Sequence, residues 1–323
     1  MEYIDFIREI KNSIEEYVGD TATVTEETVL KNNAVRLHGL AIISKDRNIS
    51  PTIYLEEYYA AYNHGQELSD IIVEIIRQYE NSKPDTGINI DFFTDYQKVS
   101  NQLLYKLISL EKNEELLTGI PYVQYLDLAI VFYCIVLHDE IGSATILVHN
   151  KHMELWNVTT EDLYLAAKRN TKKILGYQIK GMEEIIREIL VDRLHAELST
   201  GIGTDHLDED EIAEFAESML NKTHEMDGEI PMYVLSNREK INGAACLLYQ
   251  DVLAEFADQI DRDLFIIPSS IHEVILVPTC ERHGYERLTQ MVQEVNATQV
   301  QAEEILADHV YYYSRDRKEV MSM

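Results

Sequence analysis

Apolar residues recur at spacings of three and four from the start of the chain, where Ile4, Ile7, Ile10 and Ile14 line one side of a predicted helix over 3–17. Two β-rich runs follow, V-L-K-N-N-A-V-R-L-H-G-L-A-I-I-S (29–44) and N-I-S-P-T-I-Y-L (48–55). The polar stretch from Lys45 to Asn48 between them predicts a hairpin. Leu68, Ile71, Ile72, Ile75, Ile76 and Tyr79 then make one broad apolar stripe, so a helix there should cover a face of that small sheet. The turn-rich joint N-S-K-P-D-T-G-I-N leads into D-F-F-T-D-Y-Q-K-V-S-N-Q-L-L-Y-K-L-I-S-L, which reads as helical or mixed.

A second lobe begins near Leu116. Y-L-D-L-A-I-V-F-Y-C-I-V-L is a long β-compatible run, I-G-S-A-T-I-L-V its partner, and T-T-E-D-L-Y-L-A-A-K-R-N a helix with Thr159 or Thr160 at its cap. Two central helices follow, one carrying Met182, Ile185, Ile186, Ile189, Leu190 and Leu194, the other Ile212, Phe215, Met219 and Leu220. Gly201 and Gly203 separate them. A third lobe offers M-Y-V-L-S-N, A-A-C-L-L-Y, a helix from Val252 to Ile260, L-F-I-I-P and I-H-E-V-I-L-V-P; helical G-Y-E-R-L-T-Q-M-V-Q-E-V-N and the segment Glu303 to Asp316 close the chain. The predicted class is α+β, with several small lobes, each a short and mostly antiparallel sheet covered by helices. The predicted lobes are 1–82, 83–178 with a connecting helix, and 179–323 with a helical segment leading into an α/β lobe.

The stretch F-I-I-P-S-S-I-H-E-V-I-L-V-P sets two serines, a histidine and a glutamate between apolar runs. Proline costs no ladder bond in a turn, so Pro268-Ser269-Ser270 reads as the turn and Ile271 to Val277 as a returning strand that carries His272.

Composition narrows the class of protein. Lys plus Arg number 28 against 57 for Asp plus Glu, and a net charge of -29 repels nucleic-acid backbones and anionic lipid. The densest basic stretch, Lys168 to Lys173, reads as solvated surface. No nucleic-acid partner is expected, and no apolar run reaches the roughly 18 residues of a membrane span. Acids in M-E-Y-I-D-F-I-R-E-I-K argue against a signal peptide, and three widely spaced cysteines, Cys134, Cys246 and Cys280, suit a reducing compartment. The expected location is the cytoplasm.

Motif chemistry is sparse. His272-Glu273 departs from the zinc-protease pattern at Leu276, and Thr223-His224-Glu225 departs at Gly228. Ser269 and Ser270 lack the glycines of a nucleophile elbow, and Gly201-Ile202-Gly203 lacks the third glycine of a dinucleotide loop. Asp205, Asp208, Glu209, Asp210 and Glu211 suit the first turn of a helix, and Asp91 with Asp95 suits a solvated face. No metal site and no cofactor are called. The catalytic candidates are His38, His272 and Glu273, as members of a site assembled from distant residues.

The tyrosines are the unusual feature, 20 against 7 Phe and one Trp. Tyr54, Tyr58, Tyr59 and Tyr62 cluster, as do Tyr311, Tyr312 and Tyr313. Rigid apolar area with a polar tip suits a binding surface, and it equally suits packing at a lobe boundary.

The runs N-N-A-V-R-L-H-G-L, N-I-S-P-T-I-Y-L-E, L-D-L-A-I-V-F-Y, I-G-S-A-T-I-L-V-H-N, N-G-A-A-C-L-L-Y and I-P-S-S-I-H-E-V-I-L-V-P together resemble an uncharacterised family of proteins from anaerobic gut bacteria. The resemblance spans nearly the whole chain and implies no activity or catalytic residue. The leading expectation is a non-enzymatic or regulatory protein that binds a protein or peptide. Its competitors are a hydrolase with dispersed His, Asp and Glu, and an acidic mimic of nucleic acid that occupies a basic partner. The apolar face of the C-terminal helix suits a homo-oligomer interface or docking on its own lobe, and the sequence leaves that choice open.

Overall fold

The computed structural model describes residues 1–44, 52–81, 91–139, 142–188, 191, 231–280 and 284–323. The expected turn at Lys45 to Asn48, Gly201 and Gly203, the acids Asp205 to Glu211, the helix through Ile212 and Leu220, and Thr223 to Gly228 lie outside the described residues. Sheets of three, six and four strands, with every described pairing antiparallel, are interspersed with helices, and the α+β class holds. The chain divides into two compact units: Met1–Gln102, Lys112–Pro121 and Tyr133–Thr159 form one, and Leu103–Glu111, Tyr122–Phe132 and Thr160–Met323 the other. No helix among the described residues is long and apolar enough to cross a membrane.

In the first unit, helix α1 (Tyr3–Val18) lies where the periodicity predicts it but turns Phe6, Ile10, Ile14 and Val18 inward, leaving Ile4 of the expected stripe 72% exposed and Ile7 half-buried. Strands β1 (Ala22–Leu30), β2 (Arg36–Ser44) and β3 (Thr52–Tyr54) form an antiparallel sheet in that order. Sequence reading began the first strand run at Val29, but β1 starts at Ala22. Residues 31–35 are the connection between β1 and β2, where Asn33 and Ala34 take positive φ and the Asn33 amide donates to Asn113 Oδ1 at 2.8 Å. Helices α2 (Glu56–Asn63) and α3 (Leu68–Asn81) follow. Val24, Leu40, Ile42 and Ile53 of the sheet share one core with Phe6, Ile10, Ile14, Ile71 and Ile75 of α1 and α3. A methyl group on Gly39 would stand 2.4 Å from Thr52 Cγ2 and 3.4 Å from the Ile53 carbonyl oxygen, so a larger residue where β3 pairs with β2 would have to displace the Thr52 side chain.

A four-stranded sheet has β4 (Leu103–Ser109), β6 (Leu128–Asp139) and β5 (Tyr122–Tyr125) in that order, with β7 (Gly142–Leu147) also on β6. The β6–β7 pair is the predicted one. Residues 103–109, read as helical or mixed, are a strand buried throughout except at Lys106, and burial on both faces removes the alternation that marks a strand. Helix α4 (Asn150–Trp156) ends in the first unit, where the buried Trp156 indole donates to the Phe93 carbonyl at 2.7 Å.

In the second unit, α5 (Thr160–Leu175) packs on β4, with Thr171 Oγ1 accepting from the Tyr105 amide at 3.2 Å. Strands β8 (Gln178–Gly181), β9 (Tyr233–Ser236), β10 (Leu264–Ile267), β11 (Val274–Pro278), β12 (Tyr311–Ser314) and β13 (Glu319–Ser322) form a six-stranded sheet ordered β13-β12-β10-β11-β9-β8. Helix α6 (Gln250–Ile260) precedes β10, and α7 (Tyr285–Thr298) packs Leu288 and Val292 against Phe265 and Val277. The run A-A-C-L-L-Y, to which the sequence assigns no element, is mostly a 3-10 helix, Gly243–Leu248. Asn242 enters it at φ 54, and a methyl on Gly243 would stand 2.1 Å from Ser236 Oγ and 2.4 Å from the His272 carbonyl oxygen. So tight an approach fixes the turn there.

Candidate functional site

Side chains on β2 alternate between faces, so His38 continues the inward line of Leu40 and Ile42 to the end of the core. There it meets the starts of α1 and α2. The backbone of Leu55 donates to the His38 carbonyl at 3.0 Å, which places Glu56, the first residue of α2, against the strand.

Three donors converge on one oxygen of Glu56. Oε1 accepts from the His38 amide at 2.6 Å and the Tyr3 hydroxyl at 2.9 Å, and stands 3.3 Å from His38 Nδ1. Oε2 is buried and has no hydrogen-bond partner among the described residues. Burial alone would raise the Glu56 carboxyl, but the backbone amides of His38 and Glu56, the Tyr3 hydroxyl and the His38 ring outweigh it and hold the group below its ordinary value. Burial, then the hydrogen bond to Glu56, pushes the Tyr3 phenol well up. A carboxylate facing Nδ1 requires a proton on that nitrogen, so Nε2 carries the lone pair of neutral His38. The His38 side chain is 46% exposed.

Aromatic rings surround this carboxylate. Tyr3 packs edge-on to His38 at 5.5 Å and against Tyr59 at 4.7 Å; Phe6 touches both Tyr59 and Tyr62, and Tyr59 and Tyr62 stack at 6.4 Å. The Tyr59 hydroxyl donates to the Met1 carbonyl at 3.0 Å and that of Tyr58 to Gln78. Burial and the nearby Glu74 and Glu57 carboxylates raise the Tyr58 phenol. Tyr54, on β3, lies under the Lys31 ammonium at 4.2 Å. The structure thus joins His38 to Tyr59 and Tyr62 through Tyr3 and Phe6, which lie in the amphipathic helix expected over 3–17 and carry no signal of their own in the sequence.

The second unit treats its candidates differently. His272 stands ahead of β11, in the turn, and not on the strand assigned to it from sequence. The Ile271 amide bonds the Glu304 carbonyl, the His272 amide bonds Ser270 Oγ, and the ladder begins only at Val274. Both ring nitrogens are engaged: Nδ1 accepts from the Asn242 amide at 3.2 Å and Nε2 faces Glu304 Oε1 at 3.4 Å. Ser236 Oγ donates to the His272 carbonyl at 2.8 Å. The partner of His272 is therefore Glu304 and not Glu273, whose carbonyl accepts from Ser270. This pins a turn and leaves Ser270 as its cap.

Tyr311 and Tyr313 are buried in β12, while Tyr312 is half-buried. The hydroxyl of Tyr311 donates to Asp127 at 2.8 Å and that of Tyr312 to Asp263. His309 Nε2 faces both Ser322 Oγ, at 3.3 Å, and Asp127 Oδ2, at 3.7 Å. A serine and a carboxylate on the same nitrogen cannot form a relay, which needs one on each. In the basic stretch, Lys172 pairs with Asp251 and lies over the Tyr177 and Tyr249 rings at 5.3 and 5.7 Å. Asp95 caps the turn Tyr96–Val99 by accepting from the Gln97 amide. Among the described residues no group of three or more His, Cys, Asp and Glu could hold a metal ion.

Residues 3–315 match a family of unknown function, DUF5688, and the chain belongs to it. No curated protein and no solved structure matches the chain.

Proposed function

We propose that this member of the family binds a protein or peptide partner through the aromatic and carboxylate face formed by the starts of α1, β2 and α2. The observation that carries the reading is the set of half-buried tyrosines Tyr3, Tyr59 and Tyr62, packed over the fully buried Phe6, beside an exposed histidine. Half-buried tyrosines combine contact area with little entropy to lose, the quality that marks binding hot spots. The protein would work in the cytoplasm of a bacterium, in keeping with its three free cysteines.

The test is capture of a partner at moderate salt, followed by hydrogen exchange of the complex. Protection confined to the start of α1, the start of β2 and α2, together with loss of capture by a folded His38→Ala, Tyr62→Gln variant, is the expected result. A footprint elsewhere sinks the reading.

His38 itself favours a second reading. An imidazole whose Nδ1–H is held by a carboxylate and whose Nε2 lone pair meets solvent is oriented as a general base, and a hydrolase could use it on water. Hydrolysis of an ester, peptide or phosphoester panel that His38→Ala abolishes would support it.

A further inference from the structure

We infer that the start of α4 is an acid-sensitive latch: when His152 takes a proton, the His149 amide loses its acceptor, and α4 with Trp156 comes away from the turn that carries Phe93.

His152 Nδ1 accepts from the His149 backbone amide at 3.0 Å, closing back onto the residue before the helix. That position, three residues into a helix, is ordinarily filled by Glu or Gln. Nδ1 must hold a lone pair to accept, so the proton of the neutral ring is on Nε2. A glutamate there would keep its acceptors down to about pH 4. A histidine surrenders its one acceptor on becoming a cation, and the cation then stands at the positive end of the helix dipole.

Rings enclose the imidazole. Phe93 stands edge-on to it at 4.9 Å, His149 at 5.6 Å and Trp156 at 5.6 Å. Phe93 and Trp156 are buried and His152 is half-buried. From the segment that packs on α4, Phe93 faces His152 while Tyr96 touches Trp156, and Asp95 is turned to the Gln97 amide and Lys98. On its own element the titratable neighbours are His149 and the exposed Lys151 and Glu154. Among the described residues no carboxylate pairs with the His152 ring. Burial, then the His149 imidazole, holds His152 below its ordinary value. The tilted Trp156 ring is the one neighbour that would favour the cation, and desolvation together with loss of the amide bond opposes it.

Helix α4 has seven residues, too few to stand without its tertiary ties. Its first residue is tied by the Asn150 amide to the Gly119 carbonyl at 3.0 Å and by the Asn150 side chain to the Thr118 carbonyl at 3.1 Å. Its last is tied by the Trp156 indole to the Phe93 carbonyl at 2.7 Å. The His152 bond lies between these ends. Because folding lowers the His152 value, the bond contributes fully above the ordinary histidine value of about 6.5 and is lost as pH falls through the lower folded value.

The test is hydrogen exchange of the whole chain at about pH 7.5 and about pH 5.5, corrected for the intrinsic rate, with acrylamide quenching of Trp156, the single tryptophan, in parallel. In the wild type, residues 150–158 should lose protection by roughly three- to tenfold on acidification, and Trp156 should become more accessible. Helix α3 should change less than about twofold. His152→Gln supplies an acceptor that does not titrate and should hold protection of 150–158 within about twofold between the two conditions. An unchanged wild type overturns the latch, as does an equal loss in His152→Gln or an equal loss in α3. Nitrogen and carbon NMR of the wild-type imidazole tests it without any variant: a proton on Nδ1 of the neutral ring, or titration at or above about 6.5, also overturns it.

Discussion

Replacing Glu56 by Gln keeps the shape and an oxygen acceptor but removes the charge, and the cost can be worked from the three contacts on Oε1. Hydrogen bonds to a charged acceptor contribute about 1 kcal/mol more than neutral ones. Two of the contacts, from the His38 amide at 2.6 Å and the Tyr3 hydroxyl at 2.9 Å, are short, and the third, from Nδ1, is 3.3 Å. That suggests about 2 kcal/mol before screening. The side chain is 32% exposed, so solvent reduces this to about 1–1.5 kcal/mol. Because folding lowers the Glu56 carboxyl, its contribution is full above the unfolded glutamate value of about 4.3 and is lost as pH falls through the lower folded value. Gln does not titrate, so the gap between wild type and variant isolates this group. Guanidinium unfolding followed by Trp156, the single tryptophan and a member of the same unit, should show that gap near pH 7 and its closure in acid. A variant as stable as wild type at neutral pH, or a gap that persists unchanged in strong acid, would refute the assignment of the three bonds.

Gly243→Ala should destabilise the second unit by about 2–4 kcal/mol, the sum of overpacking and the strained Ser236 bond to the His272 carbonyl, and thermal unfolding would measure it. An unchanged midpoint would mean that the turn relaxes around the methyl. Of the three cysteines, Cys280 is exposed while burial pushes the thiols of Cys134 and Cys246 up to about 12, so a thiol reagent should label one site in the native protein and the others only on unfolding. The Tyr312 hydroxyl, then the Arg315 amide, holds the Asp263 carboxyl below its ordinary value. Tyr312→Phe should raise it in a carbon-detected NMR titration, and an unmoved value would assign the whole effect to the amide.

Elements with one wet face were legible. The stripes of α1 and α3 and the long β6 run stand close to where periodicity put them. The failures share a cause, which is loss of contrast between faces. Strand β4 and the run Gly243–Leu248 are buried on nearly every side, so the apolar letters carry no period to read. Strand β1 fails the opposite way: at the end of its sheet order, its polar T-E-E-T exposes too much to read as a strand. In F-I-I-P-S-S-I-H-E-V, the apolar Ile271 is buried as part of a turn, so hydrophobicity alone extended the strand by three residues and carried His272 with it.

The candidate site was half visible for a related reason. Residue type alone selected His38 and the tyrosines from Tyr54 to Tyr62, because a lone histidine and a run of phenols are rare enough to notice. Glu56 is not rare: an acid in the first turn of a helix has a sufficient explanation in the helix dipole. What separates it from Glu57 beside it is its direction, set when the Leu55 amide bonds the His38 carbonyl and turns the first residue of α2 onto the strand end. That contact joins residues well apart along the chain and continues the pairing of β3 with β2 that ends at Gly39↔Tyr54. The sheet register therefore decides which of two neighbouring glutamates collects Tyr3 and His38.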